Sequence, residues 1–455
     1  MEGYMKKTSR KTKILWGSAV IALGIAAAVG GANLITAMRG DAVDAKPETD
    51  AGMLARGAYI ARSADCVACH STPGGAPFAG GLAMQTPVGA IYSTNITPDP
   101  DTGIGQYSYA DFVRAVQHGV RKDGTPLYPA MPYPSYVIMP QADMQALYAW
   151  FMAEVQPVSQ ANAKADIPWP LNMRWPMAWW QLLFAPERSF TAPEATDARI
   201  ARGAYLVEGP GHCGACHTPR GLAYQEKAMS LADGDSFLSG AVIDGWRAKS
   251  LRGEAQGLQS WDEPEIVDFL RTGRTAKVAA FGAMADVVEH STRYFTDDDL
   301  QSIAAYLKQL PPTPGKLREF APKADTTTAK LLEGRYDTRG AQLYMEYCVT
   351  CHRADGQGVP RIFPALAGNS AVFAQYPQSV IQITLEGGHM PANEVDRMAF
   401  AMPAFRSLSD EDIASVISFI RAGWTNQAPA VSAADVAQIR DFVANKSPNA
   451  GERHE

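Results

Sequence analysis

Cys66-Val67-Ala68-Cys69-His70, Cys213-Gly214-Ala215-Cys216-His217 and Cys348-Val349-Thr350-Cys351-His352 are three copies of one pattern, and they use all six cysteines of the 455-residue chain. Two thiols three positions apart can each add to a vinyl group of one haem, and the adjoining histidine then ligates the iron. Rival uses of the pattern fit poorly. A zinc site needs four ligands in compact pairs, and no second cysteine pair stands at finger-like spacing. A redox disulfide leaves the histidine unexplained three times over. The motifs therefore predict three covalently bound c-type haems, attached at Cys66 and Cys69, at Cys213 and Cys216, and at Cys348 and Cys351, with His70, His217 and His352 as first axial ligands.

The surroundings of the motifs repeat as well. Each follows a helical segment opening Arg-Gly-Ala: Arg56-Gly57-Ala58-Tyr59, Arg202-Gly203-Ala204-Tyr205 and Arg339-Gly340-Ala341-Gln342. Each unit closes on a second helical pattern, at residues 142–150, 298–307 and 410–420, with acids near its start and apolar residues at i, i+3, i+4 and i+7. Between them, residues 109–119, 263–273 and 377–387 each read as an amphipathic helix stopped by glycine. In cytochrome c folds the first and last helices cross, and Gly57, Gly203 and Gly340 fit the small residue that lets the backbones approach. Repetition of several elements in one order is a stronger signal than any single match.

The predicted fold class is all-α, with three tandem cytochrome c domains at residues 51–156, 200–311 and 336–425. They follow an N-terminal transmembrane helix or signal segment at residues 1–38. A Trp-rich linker (157–199) and a polar linker (312–335) join the domains, and a tail (426–455) ends the chain. Trp169, Trp175, Trp179 and Trp180 crowd the first linker, which is expected to pack between haem domains, lie at the membrane interface or border a quinone pocket. The tail reads as a partner-binding arm or as partly disordered.

A net charge of −6 argues against a nucleic-acid partner, which wants a basic face. At the N-terminus Lys6, Lys7, Arg10, Lys11 and Lys13 precede the uncharged residues 14–38. At about 1.5 Å per residue that run can cross the roughly 30 Å of bilayer hydrocarbon. The basic cluster stays cytoplasmic, so the remainder is exported. The run exceeds the usual apolar core of a signal peptide, although Ala26–Ala28 offers a place for cleavage. Either reading puts the haems at the periplasmic side of the cell inner membrane.

The second iron ligand of each haem must come from far along the chain. Methionine is the usual soft partner and raises the reduction potential. Met131, in Tyr128-Pro129-Ala130-Met131-Pro132, lies after Gly119 and before the closing helix, and Met402 has the matching setting Ala401-Met402-Pro403. Met284 holds the corresponding place in the second unit, without the proline. Met390 is the rival in the third unit. His118, His212, His290 and His389 could in principle give bis-histidine iron. Most other methionines are apolar gap-fillers. With three such irons capped, no open position remains for substrate, and the chain carries no dinucleotide loop or Ser/His/Asp pattern. Its chemistry is electron relay.

Further stretches carry a family resemblance: Phe78-Ala79-Gly80-Gly81, residues 92–99 (YSTNITPD), 127–136 (LYPAMPYPSY), 167–175 (IPWPLNMRW), 209–221 (GPGHCGACHTPRG), 284–292 (MADVVEHST) and 363–369 (FPALAGN). From about Leu54 to Arg440 the chain resembles the three-haem cytochrome c subunits of membrane-bound periplasmic dehydrogenases, above all that of quinoprotein alcohol dehydrogenase of acetic acid bacteria. The resemblance implies a dehydrogenase catalytic subunit, with pyrroloquinoline quinone (PQQ) as its cofactor, and a route to ubiquinone in the cytoplasmic membrane. By position it carries over the haem cysteines and histidines with Met131, Met284 and Met402. The retained-anchor character of residues 1–38 departs from the alcohol group. It keeps a molybdenum and iron–sulfur aldehyde dehydrogenase, or a flavin-dependent gluconate, sorbitol or fructose dehydrogenase, as alternative partners. A free-standing multihaem carrier is the alternative of another class.

Overall fold

A computed structural model describes residues 10–40, 49–86, 88–192, 197–243, 245–316 and 320–446, with only part of the side chains between 10 and 40. After an N-terminal helix α1 (Arg10–Ala37) the first unit contains α2 (Ala51–Ser63), α3 (Cys66–Cys69), α4 (Tyr109–His118), α5 (Tyr133–Tyr136) and α6 (Gln141–Ala153). Helix α7 (Trp175–Phe184) leads to the second unit, with α8 (Ala198–Glu208), α9 (Gly214–His217), α10 (Glu263–Thr272), α11 (Ala283–His290) and α12 (Asp297–Gln309). Helix α13 (Thr327–Leu332) precedes the third, with α14 (Arg339–Leu343), a π-helical turn at Tyr344–Cys348, α15 (Val349–His352), α16 (Gln378–Glu386) and α17 (Asp410–Ala422), and α18 (Ala433–Lys446) follows.

Each unit has its own apolar core. Phe112, Met144, Leu147 and Phe151 anchor the first, Leu206, Phe237, Leu300 and Ile303 the second, and Tyr344, Ile381, Ile417 and Trp424 the third. In each, the opening helix crosses the closing helix at the expected glycine. A Cβ on Gly57, Gly203 or Gly340 would overlap the carbonyl oxygen of Ala146, Ser302 or Ser415 respectively. One turn back from each carbonyl stands an aspartate, and one turn on an aromatic ring: Asp143 and Trp150, Asp299 and Tyr306, Asp412 and Phe419. The three crossings therefore share one register. The aspartates sit in the first turn of their helices, where the positive end of the macrodipole favours them.

The middle helices are bounded as their sequences predict. Ser108 and Asp111 form a capping box on α4, and Asp262 and Glu265 form one on α10. Gly119, Gly273 and Gly387 follow these three helices at φ of 65°, 74° and 71°, a region that costs glycine little.

Of the all-α expectation the structure shows the coarser part, a mostly helical chain. Among the described residues three antiparallel hairpins are present as well: β1–β2 (Ala83–Thr86, Gly89–Tyr92), β3–β4 (Ala241–Ile243, Trp246–Ala248) and β5–β6 (Gly388–His389, Ala401–Met402). The first two turn at Gly89 and Gly245, both at positive φ. Nor does the tail dangle through its described part, since α18 packs on α16 and α17, buries Val436 and pairs Arg440 with Asp410 at 2.7 Å. Among the described residues no helix is long and apolar enough to cross a membrane. The anchor reading of residues 14–38 rests on side chains many of which lie outside the described set.

Candidate functional site

The three Cys-x-x-Cys-His motifs form single helical turns, which place both sulfurs and the imidazole on one side of the chain. What fixes each imidazole comes from elsewhere in its unit. His70 Nδ1 lies 2.7 Å from the carbonyl oxygen of Thr94, His217 Nδ1 2.7 Å from that of Lys249, and His352 Nδ1 3.0 Å from that of Pro364. A carbonyl only accepts, so Nδ1 carries the proton in all three rings and Nε2 keeps its lone pair. Such a contact orients a metal-binding histidine and raises its basicity. The carbonyl of each histidine is held in turn by a glycine amide at positive φ: Gly80 at 2.7 Å, Gly240 at 2.7 Å and Gly358 at 3.2 Å.

Electrostatics suit the same use. Burial lowers the pKa of all three histidines, that of His217 to about 4, so each imidazole is neutral at physiological pH, the form a metal needs. Burial also pushes the thiols of Cys66, Cys69, Cys213 and Cys348 up to about 12. All six cysteines are free of disulfides. Two unoxidised thiols one turn apart, beside a neutral imidazole with Nε2 free, are a donor set that fits covalently attached haem.

The nominated methionines all lie between the middle and closing helices of their units, in a loop, a helix and a strand respectively. Met131 lies between the end of α4 and α5 and packs on the core of the first unit. Met284 stands in the first turn of α11 and packs on the small buried cluster of Ala280, Ala285 and Val288. Met402 is in β6, opposite Gly388. Its rival Met390 is on the facing arm of the same hairpin, where its amide donates to the Phe400 carbonyl at 3.0 Å. Among the histidines, His118 Nδ1 lies 3.0 Å from a Glu187 carboxylate oxygen, His212 and His290 turn Nδ1 to nearby carbonyls, and His389 is exposed.

The Trp-rich linker packs between units, as one of its sequence readings expects. Trp180 donates to the Ala223 carbonyl of the second unit at 2.8 Å. On its other side it braces the segment around Met131, with Arg174 3.6 Å over the Tyr128 ring, Trp180 6.2 Å from the Tyr133 ring, and Gln181 donating to the Gly119 carbonyl at 2.7 Å. Trp169 stays 78% exposed, so the packing covers only one side of the segment.

Sequence reasoning missed the groups behind the histidines. Carbonyls leave no side-chain signature, and Thr94, Lys249 and Pro364 differ in every other respect. The glycines that grip the histidine carbonyls were the available signal.

The cytochrome c family profile matches residues 338–424. Over longer spans the chain is similar to the cytochrome c subunit of alcohol dehydrogenase (quinone) from Gluconacetobacter polyoxogenes, at 51% identity over 90% of this chain and 88% of the relative. It is 49% identical to the gluconate 2-dehydrogenase cytochrome c subunit of Pantoea cypripedii, over 87% of this chain and 91% of the relative. The fructose dehydrogenase cytochrome subunit of Gluconobacter japonicus is 34% identical, over 85% and 82%. Identity at this level along most of both chains, joined to the histidine and cysteine geometry, assigns the fold and the role together: the chain belongs to the cytochrome c subunits of quinone-linked dehydrogenases.

Proposed function

We propose that the chain is a three-domain, three-haem cytochrome that carries electrons from a periplasmic alcohol-oxidising subunit to ubiquinone in the cytoplasmic membrane. The observation that carries this reading is the threefold recurrence of a Cys-x-x-Cys-His turn whose histidine is locked at Nδ1 by a backbone carbonyl. Haem supplies a one-electron iron couple when bound. The protein attaches it through Cys66 and Cys69, Cys213 and Cys216, and Cys348 and Cys351. His70, His217 and His352 would hold its iron through Nε2, and Met131, Met284 and Met402 are the thioethers assigned as the further ligands. Residues 14–38 serve as the membrane anchor, with the haem domains on the periplasmic side.

The partner is a dehydrogenase catalytic subunit. An alcohol dehydrogenase, which we read as PQQ-bearing, is favoured by the 51% identity to the cytochrome c subunit of the alcohol dehydrogenase (quinone) of Gluconacetobacter polyoxogenes. The 49% identity to a gluconate 2-dehydrogenase subunit supports a second reading, in which the partner oxidises a sugar acid. Purification in mild detergent followed by mass spectrometry of the co-purifying subunits separates them. A quinoprotein supports the first reading and a flavoprotein the second, while recovery of the haem chain alone would sink both.

A further inference from the structure

We propose that a reciprocal exchange of Tyr59 and Tyr205 positions the first two haem-attachment turns against each other, so that the haems they hold act as one coupled pair. This rests on the reading of bound haems above. The two tyrosines are equivalent, each fourth in its Arg-Gly-Ala-Tyr opening, and each leaves its own unit. The Tyr59 hydroxyl donates to Asp299 Oδ2 of the second unit at 2.5 Å, and the Tyr205 hydroxyl donates to Asp143 Oδ2 of the first at 2.5 Å. Each aspartate is also held by its own unit, Asp143 by Arg56 Nε at 2.7 Å and Asp299 by Arg202 through two bonds of 2.8 Å.

The carboxylates are deep enough to need these donors. Side-chain exposure is 2% for Asp143 and 10% for Asp299, and a buried charge left short of partners is costly. The third unit is an internal control. It keeps the Arg339–Asp412 pair, but Gln342 replaces the tyrosine and Asp412 is 23% exposed.

What the exchange brings together is the haem-bearing chemistry of both units. Helix α11, carrying Met284, packs on α3, the turn of Cys66 and Cys69. Beside it, Arg62 lies 4.4 Å over the Tyr294 ring. In the opposite sense Tyr136, five residues past Met131, sets its ring 5.6 Å from that of His212, the residue before Cys213. Each unit thus lays its methionine-bearing segment on the other unit's attachment turn.

With haem bound at both turns, the step served would be the exchange of one electron between the two iron couples, one oxidised as the other is reduced. Tyr59 and Tyr205 take no part in it; they are positioning residues. Each Tyr→Phe change removes a hydrogen bond to a charged group, which shifts the docking equilibrium of the two units by about tenfold to a hundredfold.

The test uses the full-length, haem-loaded chain in mild detergent, comparing wild type, Y59F, Y205F, the double variant and D412N. The readouts are covalent haem per chain, the bisignate Soret circular dichroism of two neighbouring haems, and intramolecular electron exchange after pulse reduction. The expected result is three haems in every variant, a reduced couplet and slower exchange in each single variant, loss of the couplet in the double variant, and an unchanged couplet in D412N. If the double variant fails to fold, the single variants decide by the same readouts. Three haems with wild-type couplet and exchange rate in the tyrosine variants would overturn this inference alone. A wild-type chain lacking haem on either of the first two motifs would overturn the haem reading and this inference with it.

Discussion

Replacing Gly203 with alanine tests the helix crossing on which the second unit is built. A methyl group at this position would overlap the Ser302 carbonyl oxygen and lie 2.9 Å from Tyr306 Cβ. Neither obstacle can swing aside, since one is backbone and the other is the root of a side chain. Alanine gains about 1 kcal/mol over glycine in a helix interior. Forcing a methyl group into a packed crossing costs about 3 kcal/mol, toward the upper end for overpacking. The net loss is about 2 kcal/mol, which for a unit of this size corresponds to a fall of about 10 °C in its midpoint. Differential scanning calorimetry of the haem-loaded wild type and G203A measures it. An unchanged or raised midpoint would refute the close approach of α8 and α12. The shared register requires falls of similar size in G57A and G340A.

Four further outcomes are expected. Replacing Cys213 and Cys216 together by alanine should reduce covalent haem by one third, measured by haemochrome absorbance against protein; full haem content would remove that attachment site. Met131→Leu should lower the potential of one haem in a redox titration, because thioether ligation raises it, while covalent haem content is retained; three unchanged potentials would discard Met131 as ligand. Burial alone would raise the Asp299 pKa, but hydrogen bonds from Arg202 and Tyr59 outweigh it and hold the carboxyl below its usual value. A folded pKa below the unfolded one gives stability that is complete above about pH 4 and lost as pH falls through the folded value. Urea midpoints of D299N should therefore be lower than wild type at neutral pH and approach it in acid, and a constant gap would contradict the linkage. Finally, Ser108→Ala should cost about 1 kcal/mol through loss of the α4 cap, read as a shift of the first unit's denaturation midpoint.

Much of this architecture is legible in the chain because the relevant signals are local. The Cys-x-x-Cys-His turns, the stop glycines 119, 273 and 387, and the acids opening the closing helices each act within one or two turns. Gly57, Gly203 and Gly340 were legible for another reason, since only a very small side chain permits the crossing they occupy. The hairpins were not. Their strands are two to four residues long, too short for an alternating pattern to stand out. The exchange between Tyr59 and Asp299 was invisible as well. It joins residues 240 positions apart, and nothing in an Arg-Gly-Ala-Tyr segment says that its tyrosine will leave its own unit. The folded tail was hidden by composition, since α18 holds few large apolar residues and owes its place to Val436 and the Arg440–Asp410 pair.

The reciprocal exchange also limits how such units can be assembled. A contact in which two equivalent surfaces grip each other is isologous, and it closes on itself once both members are in place. A third copy cannot extend it by the same rule. The third unit accordingly docks through different surfaces: Arg361 reaches from it to Asp268, Arg274 reaches into it to the Pro391 and Met398 carbonyls, and Lys249 donates to Ser370 at 3.1 Å. Its own opening-helix face remains in solvent at Gln342. Repetition in the sequence thus does not become repetition in space. Two units grip each other reciprocally, and the third is attached to the second through unrelated surfaces.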